Sequence, residues 1–256
     1  MQMNLKFWCA IFLLFASFVA NSADRSVTRI AAASSMRFLL EELLAAYNET
    51  ESVENKSKIQ VVYGSSGNLY RQISQGAPYH LFFSADDSLA RGLVLDKASN
   101  LFIIGQGELV LYSNGDSGVS SDNLIDVFRS SLLSGRFSGK EFKVAIANPA
   151  HAPYGLAAKQ ALQTMQLWQE VQSRLVTAEK VSQAAQFALT GAVEFALVPG
   201  ALANSIEGVF TSLPGQWYEP VRHSIAMVQQ TTTGEKFLTF LESRAATAIL
   251  GKYGFH

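Results

Sequence analysis

The chain has 256 residues, a formal net charge of −1, 48% hydrophobic residues and 16% charged residues. That composition excludes a disordered chain, and the length suits one large domain or two lobes of ordinary size. No Lys/Arg run or basic patch appears, which argues against nucleic acid as a partner.

The first residues read as a secretory leader. Lys6 is the only charged side chain before Asp24, Phe7 to Ala20 is an uncharged apolar run, and the small-residue stretch Ala20-Asn21-Ser22-Ala23 follows. A positive start, a short apolar centre and a small-residue end are the three parts of a cleavable signal. The run is short for a membrane span, which needs about 20 apolar residues. The expectation is a signal peptide over residues 1–23, cleaved near Ala23, and an exported protein. Cys9, the single cysteine, lies inside the apolar run rather than at its end. A lipid-modified cysteine is therefore not expected, and the mature chain holds no disulfide.

Beyond Asp24 the pattern alternates short apolar strands with amphipathic helices, the signature of an α/β fold. Thr28 to Ala33 reads as a strand. Ser35 to Tyr47 reads as a helix, because Met36, Leu39, Leu40, Leu43, Leu44 and Tyr47 fall at helical spacing. Strands follow at Lys58 to Tyr63 and Leu81 to Ser84, separated by a short helix over Asn68 to Gln75. Residues 85–104 read as helix and loop, and Leu109 to Tyr112 as a strand. Lys143 to Ala147 reads as a strand, Gly155 to Met165 and Val181 to Leu189 as helices. Val193 to Val198 and Ser224 to Val228 read as strands, and Gly234 to Leu250 as one C-terminal helix. No internal repeat or low-complexity linker interrupts the series.

Four strand-to-helix turns carry the chemistry: Ala31 to Met36, Gly64-Ser65-Ser66-Gly67-Asn68, Asn148 to Gly155, and Ala178 to Ser182. Each places hydroxyls or free backbone N–H groups at a helix start, where unpaired donors and the positive end of the dipole favour an anion. Taken singly each is weak evidence, since a serine before a helix is usually only a cap. Spacing does not show that the four starts converge.

The segments AAASSM (31–36), YGSSGNLYRQISQGAPYHLFFSAD (63–86), NPAHAPYGLAAKQAL (148–162), YEPVRHSIAMV (218–228) and KYGF (252–255) resemble the periplasmic molybdate-binding proteins. The resemblance runs in order over nearly all of the chain after the leader. It implies a two-lobe α/β fold of the type II periplasmic-binding-protein class, with two crossovers between lobes. Lobe 1 is expected over 24–108 plus 222–256, and lobe 2 over 109–221. It implies a dehydrated oxyanion in the cleft, held by hydroxyl and N–H groups of Ser34, Ser35, Ser66, Tyr154 and Val181, the last two through their backbone N–H. The ligand implied is molybdate or tungstate, with no cofactor, no direct ligand to the metal atom and no catalysis. The partner implied is an ABC transporter permease in the inner membrane, served from the periplasm by a monomer. Some members place a tyrosine hydroxyl on the anion from the strand read here at Val193 to Val198. This chain continues Leu197-Val198-Pro199-Gly200, so that contact is expected to be missing.

Other readings follow from the same residues. Sulfate or another small anion would suit the same fold. A serine hydrolase built on Ser66 fits poorly, because position 68 is Asn where the Gly-x-Ser-x-Gly elbow needs glycine. Organic acids usually demand an arginine, and none of the four turns holds one; Arg71, one turn into the second helix, is the residue to examine. Asp86 and Asp87 could be a metal or acid–base pair, but a helix cap with a solvated neighbour is favoured. The histidines show no ligand spacing. His151 is expected beside the site, and Tyr218-Glu219-Pro220 near a crossover.

Overall fold

A computed structural model describes residues 27–51, 58–94, 100–115 and 119–255. The leader expectation lies outside these residues. The strands and the α-helices of seven or more residues are, in chain order, β1 (Thr28–Ala33), α1 (Arg37–Thr50), β2 (Ile59–Gly64), α2 (Ser66–Ser74), β3 (Leu81–Ser84), α3 (Asp87–Leu93), β4 (Leu101–Gly107), β5 (Leu109–Ser113), α4 (Leu124–Ser134), β6 (Val144–Ala147), α5 (Pro153–Thr164), β7 (Leu175–Ala178), α6 (Val181–Leu189), β8 (Phe195–Pro199), β9 (Val209–Ser212), β10 (Val221–Met227), α7 (Thr232–Leu241) and α8 (Arg244–Lys252). No helix among the described residues is long and apolar enough to cross a membrane.

The strands form two five-stranded sheets, ordered β2-β1-β3-β10-β4 and β7-β6-β8-β5-β9. In the first, β1 pairs in parallel with β2 and β3, while β10 runs antiparallel to β3 and β4. In the second, β6 pairs in parallel with β7 and β8, while β5 runs antiparallel to β8 and β9. The two sheets share one plan. In each, the reversed strand is the first one after the chain has crossed from the other sheet, at Glu108 and again after β9. The central parallel strands read VAIA and LFFS and are buried throughout, as strands covered on both faces must be.

Each lobe packs around aromatic side chains. Tyr47 meets Phe237 and Phe240 in the first, at ring separations of 5.2 and 5.6 Å. Phe195 is ringed by Phe128, Phe137 and Phe142 in the second.

Three sequence expectations are corrected. Residues 85–104 are not simply helix and loop, because β4 begins at Leu101. β4 is an edge strand ending Gly-Gln-Gly, with Gly105 at φ 143° opposite a register shift at His223/Ser224, so it lacks the clean alternation of a paired strand. The C-terminal helix is two helices. Ser243 caps the second by accepting from the Ala246 N–H at 3.2 Å, which stops the first at Leu241. The first helix opens as a 3-10 turn over Ser34–Met36 before α1 begins.

At the Glu108 crossover the packing is tight. A β-carbon on Gly107 would lie 1.9 Å from the Tyr154 hydroxyl and 2.6 Å from the His223 ring, so only glycine fits there. His223 is fully buried, and its Nδ1 donates to the Val221 carbonyl at 3.2 Å. Burial lowers its pKa to about 4, against the opposing effect of the Val221 bond. The unfolded chain therefore takes a proton at His223 more readily than the folded one. The stability this residue holds above about pH 6.5 is lost as pH falls from there toward 4, amounting to about 3 kcal/mol. Thermal melts across that range should show a steeper acid loss for the native protein than for His223→Gln.

Candidate functional site

The carboxyl ends of β1, β2 and β3 in one sheet face those of β6 and β7 in the other, the position where open α/β sheets gather ligands. Between them lies a small cavity. Ser34, Ser35, Ser66, Tyr154 and Val181 all line it, together with Ala33, Gly64, Ser65, Ala85, Ala152 and Pro153. The convergence that spacing left open is thus present, and all four turns contribute. No charged side chain is among the lining residues.

Each turn supplies a distinct donor. Ser34 and Ser35, at the end of β1, are 2% and 3% exposed. Ser34 Oγ accepts from the Ser182 N–H of the opposite lobe at 3.3 Å, so its own hydrogen remains to be given. Ser35 Oγ is buried with no hydrogen-bond partner among the described residues. An orphaned hydroxyl in a tight interior is costly unless something absent completes it. Ser66 opens α2 and is fully buried. Its Oγ accepts from the Ala85 N–H at 3.0 Å, which again leaves its hydrogen to donate. Pro153 begins α5, where its missing N–H costs nothing, and this presents the Tyr154 amide in the first turn. Val181 is the first residue of α6. Amides in a first helical turn have no intrahelical acceptor. The Tyr154 side chain points elsewhere, toward Gly107 and His223. Its role at the cavity is confined to the main chain.

The lobes meet around this cavity. The Gly67 N–H donates to the His151 carbonyl at 2.9 Å, and Ser65 Oγ lies 2.8 Å from His151 Nδ1. Lys180 Nζ donates to the Tyr63 carbonyl at 3.3 Å, and Asn68 Nδ2 donates to Glu179. These bonds join the second turn to the third and fourth, so the structure is a closed clamp. Sequence reading placed His151 beside the site but gave no sign that it spans the cleft to Ser65.

The remaining candidates take ordinary roles. Asp86 caps α3 by accepting from the Ser88 N–H at 2.9 Å, and Asp87 pairs with Arg91 at 2.6 Å. Among the described residues no group of three or more His, Cys, Asp or Glu could hold a metal ion. Arg71 donates to Asn68 and does not line the cavity. The Ser66 hydroxyl faces the Ala85 amide rather than a histidine, which leaves a nucleophile without its base. Tyr218 lies at the crossover, where its hydroxyl accepts from the Leu109 N–H at 3.0 Å. β8 ends Leu197-Val198-Pro199 and carries no tyrosine.

Comparison with known proteins gives a consistent result. A family model described as bacterial extracellular solute-binding protein matches residues 28–256. The molybdate-binding protein ModA of Rhodobacter capsulatus is 30% identical over 77% of this chain and 77% of its own. ModA of Azotobacter vinelandii is 27% identical over 94% of each chain. The solved periplasmic molybdate-binding protein of Azotobacter vinelandii superposes with a TM-score of 0.76 at 28% identity, covering 90% of this chain and 98% of that one.

Proposed function

The chain belongs to the bacterial extracellular solute-binding proteins, and from that premise we propose that it captures molybdate outside the cytoplasm and delivers it to the permease of an ABC transporter. The observation that carries the reading is a cavity lined by five donors from four helix starts, with Ser35 Oγ buried and unpartnered among the described residues. Ser34, Ser35 and Ser66 bind through hydroxyls, Tyr154 and Val181 through backbone amides. Export by cleavage near Ala23 and binding of tungstate belong to the same proposal.

The chemistry suits a fully ionised tetrahedral dianion. Molybdate accepts hydrogen bonds and offers none, and each bond to a charged group is roughly twice as strong as a neutral one. Phosphate still carries a proton at neutral pH and needs an acceptor. The Ser34 and Ser66 oxygens each already accept from a backbone N–H, and no carboxylate lines the pocket to take that proton. Sulfate meets the same donors with shorter bonds to oxygen, and cavity size then sets the preference for molybdate. Capture on both lobes closes a hinge between them.

Calorimetric titration with molybdate, tungstate, sulfate and phosphate tests this. The expected result is tight one-to-one binding of molybdate and tungstate, with sulfate weak and phosphate silent. Strong binding of sulfate with none of molybdate would keep the transport role and overturn the ligand.

A further inference from the structure

We propose that Ser65, His151 and Glu179 form a proton-linked relay across the cleft, so that the site holds its oxyanion more tightly when His151 is protonated. The inference rests on the oxyanion reading above and adds to it a residue set outside the five donors.

The geometry joins both lobes. Ser65 lies in the turn after β2, is 5% exposed and lines the cavity beside Ser66. Its Oγ is 2.8 Å from His151 Nδ1. His151 Nε2 lies 3.5 Å from Glu179 Oε1, and the imidazole side chain is 12% exposed. The His151 main chain is fixed by the Gly67 N–H on its carbonyl. Two turns lie beside His151. The one at α2 carries Arg71, which reaches Asn68. The one before α6 carries Glu179 and Lys180, with Asn68 donating to Glu179 and Lys180 to the Tyr63 carbonyl. Of the charged groups on these two turns, Glu179 is the one that contacts the His151 ring, while Arg71 and Lys180 are engaged with Asn68 and the Tyr63 carbonyl.

The direction of the Ser65–His151 hydrogen bond follows from the protonation of the ring. The Glu179 carboxylate 3.5 Å from Nε2 favours the hydrogen of a neutral imidazole on that nitrogen. Nδ1 then offers a lone pair, and Ser65 must spend its one hydrogen on it. In that state Ser65 presents the cavity with oxygen lone pairs, which repel an anion. When His151 gains a proton from solvent at Nδ1, the bond reverses. Nδ1–H donates to Ser65 Oγ, and the serine hydrogen turns to the anion. One proton taken up thus converts Ser65 from an acceptor into a donor at the site and sets a positive charge behind it. No covalent bond in the protein or the anion changes. Because Ser65 and His151 lie on opposite lobes, the relay exists only in the closed clamp.

By linkage, a site that binds better when protonated takes up protons on binding. Affinity should therefore fall as pH rises.

The test is calorimetry of the purified protein with sodium molybdate, run in pairs of buffers with different ionisation heats. Between about pH 6.5 and pH 8.5 the native protein should show net proton uptake and a Kd rising about three- to tenfold, within the limit of tenfold per pH unit for one linked proton. Ser65→Ala should still bind molybdate with most of the uptake gone. His151→Gln, which keeps a polar side chain that does not titrate, should bind with none. Tight molybdate binding at a Kd independent of pH, or native uptake in Ser65→Ala, overturns the relay and leaves the oxyanion reading standing. Silence with molybdate, tungstate and sulfate alike removes the oxyanion reading and the relay together.

Discussion

Gly67→Ala is expected to weaken molybdate binding about ten- to a hundredfold while leaving the ligand-free protein as stable as before or slightly more so. The added β-carbon would lie 2.8 Å from the His151 carbonyl oxygen and 3.1 Å from its Cα and Cβ. The oxygen belongs to backbone of the opposite lobe, so relief requires the lobes to part, and crowding of this kind costs about 1–3 kcal/mol. Only the closed state feels it. A ligand that needs the closed state loses apparent affinity in proportion to that state's lost population. Within lobe 1 the substitution acts in the other sense. Gly67 sits in the first turn of α2, where alanine is the better helix former by roughly 0.5–1 kcal/mol. A melting curve without ligand and a molybdate titration should therefore move in opposite directions. A variant that binds molybdate as the native protein does would show that Gly67 and His151 do not meet in the bound state.

Ser66→Ala should lower affinity by a similar factor but with a different signature. The variant loses a hydrogen bond to a charged ligand, worth about 1.5–3 kcal/mol. It also strips the Ala85 N–H of its acceptor. Leaving that buried donor unsatisfied costs about 1–3 kcal/mol of folding stability. Affinity and ligand-free melting temperature should thus fall together, in contrast to Gly67→Ala. Unchanged affinity would take Ser66 out of the site.

The five donors were legible from the sequence only as helix starts. Pro153 before Tyr154, and serines directly after apolar strands, announce capped or donor-rich turns. Nothing in their spacing says that α2 and α6 point at one another. That requires the two crossovers, and the order of both sheets depends on them. The resemblance to a family supplied what local physics lacked. The interlobe bonds stayed hidden for the same reason. His151 and Ser65 stand 86 positions apart, and each reads locally as an ordinary turn residue. β4 escaped because an edge strand with one partner and two glycines has neither the alternation nor the continuous apolar run of a central strand. The single C-terminal helix was misread because its apolar rhythm runs on past Ser243, whose capping bond ends it.

Crystals grown with sodium molybdate, measured for the anomalous scattering of molybdenum, would locate the bound anion itself. One strong peak per chain is expected in the cavity between β1, β2, α5 and α6. It should lie within hydrogen-bond reach, through the anion's oxygens, of Ser34, Ser35 and Ser66 and of the Tyr154 and Val181 amides. A peak elsewhere, with that cavity holding only water, would contradict it.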